Sequence, residues 1–130
     1  MERWMSKYSE YLYGIFRIVA GILFACHGAQ KLFGMFGGLS APAASLIVAA
    51  GIIEFFGGVL VALGLGAGYA AFIASGEMAV AYFMIHAPGG FWPIANKGEL
   101  AVLYCFVFLY IASKGSGRLS IESLARRQRP

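Results

Sequence analysis

Four long apolar stretches, parted by short runs of glycine and proline, leave this chain few ways to fold. They cover about residues 11–33, 42–63, 67–87 and 98–113. Breakers part them at Gly34 to Pro42, at Gly64-Leu65-Gly66-Ala67-Gly68 and at Pro88-Gly89-Gly90. Glycine frees the backbone and proline removes an N–H donor, so such clusters end helices. Three stretches have the ~20 residues a helix needs to cross a bilayer core, and the last is nearer the lower limit of about 17. Ser40 before Ala41-Pro42 suits the start of the second helix, because serine caps an N-terminus and proline is tolerated in the first turn.

The charge content names the solvent. Only 12% of residues are charged and 60% are hydrophobic, whereas about a quarter of a soluble domain is charged. So few charges cannot cover a water-facing exterior, but lipid favours an apolar one. The 130 residues make one domain, residues 1–130, with no room for a separate soluble catalytic module. The expected fold is all-α, a transmembrane four-helix bundle whose first partner is the lipid bilayer.

Positive charge sets the expected orientation. Arg3 and Lys7 precede the first stretch, and Lys114, Arg118, Arg126, Arg127 and Arg129 follow the fourth. The outer connections hold Lys97 alone. Positive residues stay on the cytoplasmic side, so both termini are expected there. Trp4, Tyr8, Tyr11 and Tyr13 are expected in an inner aromatic belt, with Phe91 and Trp92 in the outer one. The net charge of +4 is then a topology signal, and no nucleic-acid partner is expected. The first stretch is too long and too charged for a signal peptide and is expected to be retained.

Within the greasy first stretch stand Arg17, His27 and Lys31. Removing such groups from water costs several kcal/mol each unless they are paired. At ~100° per residue all three fall within an arc of roughly 80°. Gly14, Gly21 and Gly28 lie beside that arc at heptad spacing and permit close helix approach. The polar stripe is therefore expected to face the bundle interior. Glu54, with Gly51 and Gly58, shares a close-packed face of the second helix, and Glu77 a side of the third with Ala70, Ala81 and Met84. At ~1.5 Å per residue, Arg17 lies about 9 Å, and each glutamate about 15 Å, from the inner end of its helix. An Arg17–Glu54–Glu77 cluster is within reach. A second polar layer lies nearer the outer face: His27 and Lys31, His86 at the end of the third helix, and Asn96, Lys97 and Glu99 at the start of the fourth. Acids, bases and donors at one interface suit the head of a lipid-soluble molecule whose tail stays in hydrocarbon.

Plainer roles stand beside these. Arg17 with Glu54 fixes helix register if it is only a structural ion pair. Lys31 alternatively snorkels to headgroups, Glu99 favours a helix N-terminus through the backbone dipole, and His27 packs with a hydrogen bond. Cys26 and Cys105 form no C-x-x-C and no zinc spacing, so small apolar packing is the expected role and no metal site is expected. His27 and His86 come within roughly 5 Å in depth, yet haem is disfavoured because each has a simpler role. The glycine run after Leu63 lacks the strand and lysine of a nucleotide site.

Arg17, Gly21 and His27-Gly28-x-x-Lys31-Leu32-Phe33-Gly34 resemble the first-helix signature of the DoxX family of small membrane proteins. Glu54-x-x-Gly57-Gly58 with Leu63-Gly64-Leu65, then His86-Ala87-Pro88-Gly89-Gly90-Phe91, resemble its second and third helices. Asn96-x-Gly98-Glu99 and Gly115-Ser116-Gly117-Arg118-Leu119-Ser120 resemble its last segment. The resemblance implies a four-helix bundle in a prokaryotic inner membrane, a multi-pass protein, with functional positions at Arg17, His27, Lys31, Glu54, His86 and Glu99. Glu77 joins them on physical grounds alone. Relatives are linked to thiosulfate:quinone oxidoreduction and to thiol and oxidative-stress systems, and the former work with a second subunit. The expected role is a component of a quinone- or thiol-linked redox system, with quinone as the ligand and a partner subunit or homo-oligomer around it. The alternatives are a non-catalytic accessory or scaffold subunit of a larger membrane complex and a carrier for a small polar solute.

Overall fold

The computed structural model describes residues 1–38 and 45–129. All regular structure among them is helical: α1 (Glu2–Ser6), α2 (Ser9–Phe33), α3 (Ser45–Leu63), α4 (Ala67–Ala81), α5 (Pro93–Asn96), α6 (Glu99–Lys114) and α7 (Ile121–Arg127). A π-helical turn, Tyr82–His86, and a 3-10 turn, Ala87–Gly89, extend α4. The expected third and fourth helices thus stand within a few residues of 67–87 and 98–113. The start of the second helix around Ser40 to Pro42 lies outside the described residues.

Ser9–Phe33, Ser45–Leu63 and Ala67–Gly89 are long and apolar enough to cross a membrane. The 16 residues of α6 make a helix of about 24 Å. Around these helices runs a girdle of exposed large side chains, among them Ile22, Leu23, Phe56, Phe72, Phe83, Leu103 and Phe106. A contiguous surface of that kind is far beyond what water tolerates and matches a hydrocarbon solvent.

The helices associate through small residues. A Cβ added to Gly21 would meet the Ala62 nitrogen at 2.5 Å and the Gly58 oxygen at 2.6 Å, and one on Gly58 would meet the Ala25 nitrogen at 2.5 Å. Gly28 lies against the Phe55 backbone, and Gly51 against Lys31 and Leu32. Rising numbers on α2 meet falling numbers on α3, so the pair is antiparallel. In lipid, where no hydrophobic force draws helices together, such backbone contact supplies the packing energy. The turn between α3 and α4 is tight because Gly64 and Gly66 take left-handed backbone angles, φ +70° and +55°. Against α6, α4 presents Ala67, Ala71 and Ala74, all fully buried. Phe24, Tyr104 and Phe108 fill the centre, with the Phe24 and Phe108 rings 4.5 Å apart.

These contacts separate two kinds of glycine. Gly21→Leu should lower the melting temperature of the purified protein in detergent, with overpacking costing about 1–3 kcal/mol or more. Gly57, whose added Cβ would meet nothing within 4 Å, should accept alanine with Tm unchanged or raised.

Candidate functional site

The α2–α3 register decides where each buried charge goes. Because Gly21 faces Gly58 and Ala62, Arg17 arrives at the end of α3, where the helix has carbonyls without internal partners. Its Nη1 donates to the Val61 oxygen at 2.6 Å and the Ala62 oxygen at 2.9 Å, and its Nη2 to the Leu119 oxygen at 2.7 Å and the Arg118 oxygen at 3.2 Å. The side chain is 0% exposed, and its Nε has no hydrogen-bond partner among the described residues. The expected Arg17–Glu54–Glu77 cluster is therefore not formed. A guanidinium at a helix C-terminus also gains from the backbone dipole.

Arg17 does not act alone at this end. The Tyr13 hydroxyl donates to the Gly115 oxygen at 2.6 Å, and Glu122 accepts from the Gly66 N–H at 2.6 Å. Together they fold the segment after α6 back under the bundle, where Ser120 caps α7. Tyr13 is 5% exposed and so belongs to this core, not to an aromatic belt.

At the opposite end the same register sets Lys31 beside Glu54. Its Nζ lies 2.6 Å from Oε2 and 2.9 Å from Oε1 of that carboxylate. Glu54 is 2% exposed, whereas the lysine side chain keeps 35% of its surface open. Lys31 is thus held inward by a partner. Glu77, from α4, stands beside this pair, and no donor among the described residues reaches its buried Oε2.

These groups border a cavity of about 860 Å³ between α2, α3, α4 and α6. His27, Lys31, Glu54, Glu77 and His86 line it, as does Lys97, while Phe24, Ile53, Ile73, Met84, Leu100 and Tyr104 supply apolar walls. His27 meets the Tyr104 ring edge-on, with centroids 5.9 Å apart. His86 sits in the π-helical turn, an inserted residue that re-aims side chains and recurs at functional sites. Its Nδ1 lies 3.3 Å from the Asn96 carbonyl oxygen. Asn96 is itself pinned, donating from Nδ2 to the Tyr82 hydroxyl at 3.2 Å and the Gly90 oxygen at 3.0 Å.

Of the seven expected residues, five meet at this cavity, and Arg17 and Glu99 do not. Glu99 is exposed in the first turn of α6, where the helix dipole accommodates it. Lys97, which the sequence groups with His27, Lys31 and His86 in one polar layer, also borders the cavity, and it holds a left-handed backbone angle, φ 64°. Cys26 and Cys105 are free thiols, and Ser75 donates to the Cys105 carbonyl oxygen at 2.8 Å. The cavity has the size of small-molecule sites, apolar walls and a few convergent polar groups.

The two ends differ in what mutation should do. Lys31→Met leaves the Glu54 carboxylate unpaired and should lower stability by up to about 3 kcal/mol, discounted because the lysine is partly solvated. Adding Glu54→Gln should restore part of that loss in the same melting assay. Arg17→Lys replaces a fork with a single ammonium that cannot serve two segments, and limited proteolysis should then cut residues 116–129 faster.

The DoxX family model matches residues 12–87, more than half of the chain. A protein of Haemophilus influenzae described as uncharacterized is 41% identical over 126 residues, spanning 92% of this chain and 94% of its own length. No solved structure matches. With the matched region holding α2, α3 and α4 and five of the cavity's six polar residues, this multi-pass membrane protein belongs to the DoxX family.

Proposed function

We propose that the protein crosses the inner, cytoplasmic membrane four times, with both termini inside, and that its cavity receives the polar head of a quinone within a quinone- or thiol-linked redox system. The observation that carries this reading is the meeting of His27, Lys31, Glu54, Glu77 and His86, from three helices, at one cavity walled elsewhere by hydrocarbon. An isoprenoid tail fits the apolar mouth between lipid-facing helices. Imidazole and ammonium groups offer hydrogen bonds to the head's oxygens. Electrons would come from a partner subunit, since the chain's own redox-capable groups are two partly buried thiols. For the fourth span, α6, tilt and snorkelling of Lys114 make up its short length.

The test is native mass spectrometry of the protein in lipid nanodiscs drawn from its own membrane. Wild type should retain a mass matching an isoprenoid quinone, and His27→Ala combined with Lys31→Met should lose it. A wild-type protein without quinone, or a variant that keeps it, would overturn the reading. Cysteine-accessibility labelling at residues 2 and 128 should mark both from the cytoplasmic side only.

The accessory-subunit reading draws on a separate observation. Gly57 carries open space where a Cβ would stand, and a small residue on a lipid-facing surface lets another helix approach. That reading is favoured if a large partner co-purifies and Gly57→Leu releases it while quinone retention is unchanged.

A further inference from the structure

Two acids and one base meet inside the bundle, and their formal charges do not cancel. Lys31 donates from Nζ to both oxygens of Glu54, at 2.6 Å and 2.9 Å. The Glu77 carboxyl, arriving from α4, is hydrogen-bonded to that of Glu54. Glu54 is 2% exposed, and Oε2 of Glu77 is buried with no donor among the described residues. An ionised carboxylate only accepts hydrogen bonds, whereas a protonated carboxyl donates one. Two carboxylates cannot bond to each other, so one member of this pair carries a hydrogen.

The number of protons follows from the third member. With none, two like charges touch and one ammonium offsets only one of them. With two, the Lys31 ammonium loses its carboxylate and stands uncompensated among neutral acids. With one, the cluster is neutral and each contact joins a donor to an acceptor. Lys31 engages both oxygens of Glu54, so the negative charge stays there and Glu77 holds the hydrogen. The other groups that face the pair leave this count alone. His27 from α2, His86 from the turn after α4, Tyr104 from α6 and Lys97 from the connection before α6 line the same cavity. Among the described residues, no ion pair or hydrogen bond joins any of the four to either glutamate.

An acid inside a membrane bundle that has access to water suits proton exchange. Glu77 borders the cavity, and so does Lys97, which is exposed, so the cavity reaches the surface. We propose that Glu54 and Glu77 form a proton-binding site in the cavity wall: the pair shares one exchangeable proton, Lys31 sets the number at one, and Glu77 passes that proton to and from a basic oxygen in the cavity. The step moves one proton and no electron. Glu77 goes from acid to carboxylate, the oxygen gains the hydrogen, and the charge of the cluster falls from zero to minus one. The site stands whether or not the cavity receives a quinone.

The experiment is infrared spectroscopy of the full chain at neutral pH, in a detergent free of ester groups. It reads the carbonyl stretch that a carboxylic acid has and a carboxylate lacks. Wild type should show this acid band, and the band should shift on transfer to D2O. Glu77→Gln should lose it, because an amide then donates in place of the acid. Glu54→Gln should lose it as well, because Lys31 then takes Glu77 as its carboxylate. Lys31→Met should show about twice the wild-type band, since no cation remains to hold either carboxyl ionised. A purely structural Lys31–Glu54 pair beside an ionised Glu77 gives no acid band in wild type, and that result would overturn the proposal. So would a band left unchanged by Glu77→Gln, one that ignores D2O, or one that fails to grow in Lys31→Met. Should the methionine variant not fold, the two glutamine variants decide. None of these readings depends on a retained quinone.

Discussion

The backbone-to-backbone approach of α2 and α3 is the constraint on which the remaining structure depends. Gly21, Gly28 and Gly58 press directly on the facing backbone, and Gly51 on the Leu32 side chain, so the pair can slide little without collision. A fixed slide is a fixed assignment of partners. It brings Arg17 to the carbonyls at the end of α3 and Lys31 to Glu54. A register moved by one turn, about 5.4 Å, would part both cations from these partners. In lipid the penalty for that mismatch exceeds what van der Waals contact alone can return. The glycines thus set electrostatics at two places that they never touch.

The end of the bundle that holds the cavity is organised differently. There the backbone is irregular: a π-helical turn, a 3-10 turn and the short α5 follow one another before α6 begins. Irregular backbone at a membrane boundary is tolerated where protein groups satisfy it. Asn96 does much of that, serving Tyr82, Gly90 and Gly98 at once. The consequence is a braced rim around a cavity whose other polar groups, His27, Lys31, Glu54 and Glu77, stand among apolar walls. Rigidity at the head and tolerance at the tail is the arrangement an amphiphile with a variable chain length needs.

Much of this was legible from residue order. Apolar length and glycine–proline punctuation gave the long helices within a few positions, because both are local properties of the chain. Helical phase, which is also local, turned His27, Lys31, Glu54 and Glu77 inward, but reckoned depth split them between two layers that the structure joins at one cavity. Pairing was not legible. Depth reckoned along each helix let Arg17 reach toward Glu54, yet the guanidinium found backbone oxygens first. Carbonyls at a helix end leave no mark in a sequence, since every residue carries one. Tyr13 misled for a related reason: an aromatic near a span's end reads as a belt residue unless the position of Gly115 is known. Glu99 was grouped with Lys97 in one polar layer, yet the path of the connection before α6 brings only Lys97 to the cavity, and periodicity does not describe that path.

The Arg17 clamp has a bearing on how the chain is assembled. Its four acceptors come from two segments far apart in synthesis, 61–62 and 118–119. The first long helix therefore enters the bilayer carrying a charge only half accommodated by α3. Its remaining acceptors appear once the ribosome has passed residue 119. Until then the helix pair is a provisional state, with the Nη2 side of Arg17 lacking the oxygens of Arg118 and Leu119. Completion of the tail supplies those two oxygens, and one side chain of α2 then ties the end of α3 to the segment before α7.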